Sequence, residues 1–534
     1  MKKTIGISLV IFTLALAQVD TAWVRRWDGT AHLDDVATAI APDSSGNLLV
    51  TGNTQTDTIL GHEDIITLKY SPTGELLWAR QYGTPNGLDR SYAVACDRQG
   101  NVYVTGELDR ARHMVVLKYD SMGTLKWVRQ YGNYGSDLGL DQAGNIYVCG
   151  DTYQNQTLVD FITIKYRPNG DTAWVRISDV NNDNDNAMDL VVNRSGGVTV
   201  CGDCWGATPG CAIRTLRYDS TGKLLWSAIY DKGLYQEPGD IVIDPEGILP
   251  GGNIIVSGII IAPDSTRDYL TLKYSPQGEL LWARTYSGIG HGNDYPLGMA
   301  VDRYGNVFVT GVSREGNNSL CCTTIKYDYF GNQAWVVHYV GPYPAAAGCG
   351  IAIDRLGYAY ITGYEFFGLN DELLLLIKYN QNGDTVWVRH LNIPKSRGHA
   401  ILVDEQGRIY VAGYSWAGLV VRDILIIKYV QAGGIAETLS EPAQRLVLFA
   451  EPNPFQDQTT VRFGPVSGSV RAGVYDVTGK LVKRLTPMET GLLRWNRTGG
   501  DNKRVPAGVY TLIIANGKQQ ATVKLIALPR NGMR

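Results

Sequence analysis

The chain has 534 residues, 44% of them hydrophobic, enough apolar surface for one or two sizeable cores and too much for wholesale disorder. Its 61 glycines, and 31 tyrosines against 9 phenylalanines, favour short strands and tight turns over long helices. A formal charge of -3 argues against a general nucleic-acid binder, which needs a strongly basic balance.

Lys2 and Lys3 precede an apolar run from Ile5 to Ala17 that closes on Ala15-Leu16-Ala17. This pattern makes residues 1–17 a secretory signal peptide cleaved before Gln18. The run is short for a bilayer anchor, no Cys follows the small-residue site, and no later apolar run reaches the ~18 residues of a membrane helix. The mature chain is expected to be exported through the periplasm to the outer cell surface or the medium.

Residues 18–430 are organised by an internal repeat. A Lys/Arg-Tyr pair whose Tyr stands eight residues before a Trp runs from Lys69-Tyr70 with Trp78, through Lys118-Tyr119 with Trp127 and Arg217-Tyr218 with Trp226, to Lys378-Tyr379 with Trp387. Lys428-Tyr429 has no following Trp and Trp23 has no preceding pair, so the two ends complete an eighth unit; the Trp spacing averages 52 residues. Within a unit, period-two alternation marks four strands, as at Ala93–Cys96, Asn101–Thr105, Val115–Tyr119 and Leu125–Arg129. Turns such as Asp43-Ser44-Ser45-Gly46-Asn47 join them, with Asp accepting from turn amides and Gly supplying positive φ. Strand one carries small residues, including Ala37, Ala39, Ala93, Gly298 and Gly350, as convergence on an axis demands. The expected fold is all-β: an eight-bladed β-propeller, seven blades being the alternative if one unit is degenerate, closed by the Trp23 strand pairing beside Lys428-Tyr429.

Residues 431–445 read as a linker. Beyond them, about seven short strands in 446–534 suggest a small immunoglobulin-like β-sandwich. Charge separates the parts: 446–534 holds 13 Lys/Arg against 5 Asp/Glu, leaving residues 18–445 at about -13.

Units such as Asp294 to Tyr339, with Gly305-Asn306-Val307-Phe308-Val309-Thr310-Gly311, then Ile325-Lys326-Tyr327-Asp328 and the Trp335 strand, resemble the bacterial beta-propeller (SBBP) repeat. That resemblance implies the propeller fold and no assigned catalysis. The order Glu451-Pro452-Asn453-Pro454-Phe455, Val474-Tyr475-Asp476-Val477-Thr478-Gly479-Lys480, Trp495-Asn496 and Pro506-Ala507-Gly508-Val509-Tyr510 is similar to the C-terminal sorting domain of the type IX secretion system. This second resemblance implies passage across the outer membrane by that machinery, then removal of the domain with release or surface attachment. Ala527 to Arg534 trail the final strand, a departure from a family that usually stops close to it.

No His-Glu-x-x-His, phosphate loop or Gly-x-Ser-x-Gly elbow is present, and Gly413-Tyr414-Ser415-Trp416-Ala417 lacks its last glycine, so no enzyme is expected. The alternative is a quinone-dependent dehydrogenase, which the docking Trp residues and a vicinal Cys321-Cys322, placed in a loop before strand three, resemble; no calcium and quinone ligand set accompanies them. Cys204 and Cys211 flank a loop and are disulfide candidates, whereas Cys149 and Cys201 read as buried thiols. Asp179, Asn181, Asp183 and Asp185 space oxygen ligands as a calcium loop does, although Asp185 also matches Asp35, Asp89 and Asp294 at the start of strand one. The variable loops carry Tyr153, Trp205, Tyr235, Tyr295, Tyr364, Phe366 and Trp416, candidates for recognising a glycan or a surface protein. The expected role is a non-enzymatic binding, adhesion or structural module.

Overall fold

A computed structural model describes residues 18–432 and 447–529, apart from 60, 86, 111–112, 155–157, 181–182, 206–209, 233–234, 246–250, 316–318, 344, 367–370, 418–420, 452–454, 465–469, 487–491 and 517–518. The signal peptide, most of the linker and Asn181 lie outside the described residues. Among the described residues the regular structure is strand throughout, and no helix is long and apolar enough to cross a membrane. The chain divides into two compact units, residues 1–434 and 435–534.

In the first unit, short alternating strands meet tight turns and fold back as four-stranded antiparallel sheets. The first comprises Asp35–Pro42, Leu48–Gln55, Glu63–Tyr70 and Leu76–Tyr82, in that order. Its first turn is set by Asp43, whose Oδ1 accepts from the amides of Ser45 and Asn47, both at 2.9 Å, while Gly46 takes φ +79°. Asp97 and Asp302 repeat the device. Most sheets are separate four-stranded units; one parallel bridge, Leu320 to Ala345, joins two of them into an eight-stranded sheet. The last sheet is completed from the other end of the chain: Gln18–Trp27 runs antiparallel to Val421–Ala432, with Trp23 opposite Lys428.

Apolar clusters sit between successive sheets, and the succession is cyclic, because Trp23, Ile424 and Ile426 of the last sheet pack with Ala37, Val50 and Leu68 of the first. Strand one of each sheet lies against strand one of the next: Thr38 Oγ1 is 3.3 Å from Ser91 Oγ, and Ser136 Oγ donates to the Ala187 carbonyl at 2.6 Å. That closeness accounts for the small residues there. The arrangement is propeller-like.

A recurring clasp joins neighbours. Trp174 Nε1 and Lys165 Nζ both donate to the Ser220 carbonyl in the next sheet's outer turn, at 3.2 and 3.0 Å, and Arg176 Nε donates to the Gly222 carbonyl at 2.6 Å. The same triple joins Lys69, Trp78 and Arg80 to Ser121 and Gly123. Gly222 lies flat on the Trp174 indole, where an added Cβ would stand 2.7 Å from the ring. Trp387 is the exception: its Nε1 is buried without a partner. In this last sheet the fourth strand is Gln18–Trp27, supplied from the other end of the chain.

In the second unit, Val447–Glu451, Thr459–Gly464 and Leu492–Trp495 form one sheet, and Leu481–Leu485, Arg471–Asp476, Gly508–Asn516 and Gln519–Ala527 form another. Their shared core centres on a fully buried Trp495, with Phe455 and Tyr510 ring centroids 5.5 and 5.0 Å away. The Tyr510 hydroxyl donates back to the Pro506 carbonyl at 2.8 Å. The last strand reaches Ala527, and the Leu528 amide donates to Phe455, so these residues belong to the fold rather than trailing it.

Comparison of two glycines separates backbone strain from the indole contact. Gly46 has no neighbour closer than 3.6 Å to an added Cβ, so Gly46→Ala is expected to cost about 1–2 kcal/mol for positive φ alone. Gly222→Ala adds displacement of Trp174 and is expected to cost about 2–4 kcal/mol, read from denaturant unfolding.

Candidate ligand-binding face

The strands place two kinds of connection at opposite sheet ends. The short Gly turns hold one end; the longer connections, which follow strands two and four, hold the other. On this loop end, the strand-one aspartates close the connection that precedes them: Asp35, Asp185 and Asp294 each accept, through Oδ2 at 2.6 Å, from the amides of Gly29, Val180 and Gly288, and Asp89 accepts from Thr84. Asp185 also faces Arg214 Nη1 at 3.4 Å, and burial pushes its carboxyl up to about 7. Asp183 Oδ1 accepts from the adjacent Asn184 amide at 2.8 Å. Of the expected calcium set, Asn181 lies outside the described residues, and among the described residues the three carboxylates close enough to share an ion include none of Asp179, Asp183 or Asp185.

The predicted aromatic residues fall into separate groups. Trp205 and Tyr235 meet edge to face at 5.9 Å; Trp205 Nε1 donates to Asp203 Oδ2 at 3.2 Å and the Tyr235 hydroxyl to Glu237 Oε2 at 3.0 Å. Trp205 keeps 37% of its surface exposed. Tyr364 and Phe366 meet at 5.1 Å, and the Arg397 guanidinium lies 3.6 Å above the Tyr364 ring, held there by both Glu372 oxygens at 2.6 and 3.0 Å. The Tyr414 hydroxyl joins Glu372 at 3.2 Å, and burial raises it to about 12. Tyr295 accepts from Arg267 Nη1 at 2.8 Å, Trp416 lies 5.9 Å from Lys395 Nζ, and Tyr153 is 51% exposed.

Two cysteine expectations are corrected. Cys204 stands opposite Ala212 and Cys211 opposite Trp205, so the two thiols point to opposite faces of the sheet and both are free. Cys321 and Cys322 lie within the strand Leu320–Tyr327 rather than a loop before it, again on opposite faces and free. Cys149 and Cys201 are buried thiols.

Some polar groups escaped the sequence reading. Asp137, Asp189 and Asp240 occupy the small-residue position of strand one in three successive units and tie each sheet to the next, accepting from the amides of Leu190 (3.4 Å), Ile241 (2.8 Å) and Met299 (2.8 Å). Burial raises all three, Asp240 to about 6. Their spacing at the repeat period was the available signal. Glu315 gathers Ser313 Oγ and Tyr286 OH, both at 2.7 Å, and His338 Nδ1 at 3.1 Å, and Ser313 is fully buried. His390 Nε2 pairs with the buried Glu365 at 2.5 Å.

Family comparison matches the beta-propeller repeat (SBBP) at residues 77–107 and 284–317 and the secretion system C-terminal sorting domain at 451–528. The chain carries SBBP propeller repeats and a secretion-system sorting domain. No curated protein sequence matches it. Among solved structures, PorZ, an essential surface component of the type-IX secretion system of Porphyromonas gingivalis, is 14% identical with a TM-score of 0.34, over 92% of this chain and 65% of PorZ. The chain thus spans just under two thirds of PorZ. Polysaccharide lyase Uly1 is 10% identical (TM-score 0.41; 64% of this chain, 90% of the lyase), and the Xanthomonas campestris gluconolactonase XC5397 is 13% identical (TM-score 0.30; 74% and 98%). At these identities and scores they assign this SBBP-repeat protein no activity.

Asp151 Oδ1 accepts from the Ala187 amide at 2.9 Å, and burial lifts its carboxyl from 3.8 to about 8. The native state therefore binds the extra proton, and this group's contribution to stability falls as pH rises from about 4 through 8. Asp151→Asn retains the acceptor, so it is expected to raise the melting temperature above wild type at pH 9 and to lose that advantage near pH 4, in thermal melts across pH.

Proposed function

We propose that the protein is a cell-surface or secreted binding module without catalytic activity: an eight-bladed propeller closed by its N-terminal strand, followed by an immunoglobulin-like sorting domain read by the type IX machinery of the outer membrane. The eight blades are supported by the cyclic run of inter-sheet clusters and the eight Trp positions. Seven strands in two sheets around Trp495, with Tyr510 bonded back to Pro506, support the sandwich. The signal peptide brings the chain to the periplasm and the sorting domain carries it outward.

The observation that carries the binding role is the Trp205–Tyr235 pair on the loop end, with Asp203 and Glu237 beside the ring edges. An exposed aromatic face with a part-exposed carboxylate beside it suits a sugar, whose C–H face packs on the ring while a hydroxyl donates to Glu237; the buried Asp203 orients Trp205. A rigid scaffold holding such loops is built for recognition. Glycan-array binding by the mature chain is expected to fall at least tenfold in Trp205→Ala with unchanged melting; retention of full binding to the same glycans refutes this site. Deleting residues 446–534 is expected to leave the protein in the periplasm, and undiminished export of the truncated chain contradicts the sorting role.

A further inference from the structure

The loop end contains a recurring pair of acids: an aspartate at the start of strand one and another six residues before the Tyr of the preceding unit's strand three. The pairs are Asp89 with Asp64, Asp185 with Asp160, Asp294 with Asp268 and, where the chain's two ends meet, Asp35 with Asp423. In the first, Gln81 Nε2 donates to Asp64 at 2.8 Å; in the second, Arg214 pairs with Asp185. The seam pair instead acquires a third carboxylate. Asp28, Asp35 and Asp423 each place an oxygen within 4.8 Å of the other two, the set of three with this closeness among the described residues.

The neighbouring cations balance it only in part. Arg422, adjacent in sequence to Asp423, is turned to Asp34, with Nη2 and Nε at 2.6 and 3.1 Å from its Oδ2. Exposed His32 bonds Asp28 Oδ2 at 2.6 Å, and Arg26 acts on Asp423 only through its field. Asp35 is 1% exposed and Asp423 7%, and Oδ1 of each is buried without a hydrogen-bond partner, as is Oδ1 of Asp185 and of Asp268 in the other pairs; the seam differs in bringing two such acids against a third carboxylate. Burial raises both carboxyls. Two orphaned oxygens on buried acids beside a third carboxylate are costly unless a cation sits among them.

We propose that Asp28, Asp35 and Asp423 bind a calcium ion that staples the N-terminal strand to the last sheet. The donors are all hard oxygens, and a calcium ion with ligands at about 2.4 Å tolerates oxygens up to about 4.8 Å apart, wider than magnesium's tight octahedron permits. Asp28 is exposed, giving the ion a route from solvent and leaving positions for water. Asp28 and Asp35 flank the end of the first strand while Asp423 lies in Val421–Ala432, so the ion ties opposite ends of the repeat region.

The test uses the mature full-length chain, with calorimetric calcium titration and thermal melts in calcium and in EDTA. One site with half-saturation on the order of 0.1–1 mM is expected, with a melting temperature about 1–3 °C higher at ten times that concentration. Asp28→Asn, at an exposed position, should abolish binding and the calcium shift without lowering the EDTA melt. Asp423→Asn should abolish both while raising the EDTA melting temperature, because an orphaned carboxylate is removed. Equal melting of wild type in calcium and EDTA overturns the proposal. So does a calcium response that survives Asp28→Asn, or one removed by Asp179→Asn instead, or an equal response to magnesium.

Discussion

The contact of an indole with a glycine turn in the next sheet is the constraint on which the first unit depends. Each Trp needs a neighbour whose turn presents a carbonyl at one point and a bare Cα at the next; each turn needs Gly for its φ and for the flat approach. Because one residue satisfies both demands, the motif cannot drift in one unit without disturbing two sheets. The Lys before the Tyr and the Arg two residues after the Trp bind the same turn, so a short sequence signature carries most of the polar bonding between neighbours at this end.

A cyclic assembly built this way must join its own ends, and the chain does so by lending Trp23 and its strand to the last sheet. The arrangement has consequences visible in the structure. Trp387 Nε1 is buried without an acceptor among the described residues. Lys378 Nζ donates to Gln431 Oε1 at 2.6 Å. At the loop end the same junction gathers Asp28, Asp35 and Asp423, whose mutual repulsion works against closure unless a cation balances it. These departures arise where the repeat is assembled from two distant segments.

The repeat was legible in the sequence because turn and clasp residues are local and recur: Lys165-Tyr166, Gly170 and Trp174 stand in fixed spacing, and so do the strands they bound. What depended on facing direction was not. Cys204 and Cys211 have a spacing that suits a disulfide, yet the register turns them to opposite faces. Asp137, Asp189 and Asp240 sat at positions read as small; their role rests on amides in the next sheet. The aspartates of 179–185 suggested a cation loop by spacing, whereas Asp185 Oδ2 holds a loop amide and faces Arg214, as its repeat counterparts hold theirs. Proximity of Asp28 to Asp423 becomes visible only once the ends are paired.

Closure by the N-terminal strand is tested most directly by native-state hydrogen exchange on the mature chain with Trp23→Ala. The account predicts joint loss of amide protection in residues 18–27, in 421–432 and in the 71–75 turn that receives Trp23, with protection kept in the sheets farthest from the junction. Loss confined to residues 18–27, with 421–432 as protected as in wild type, would contradict it.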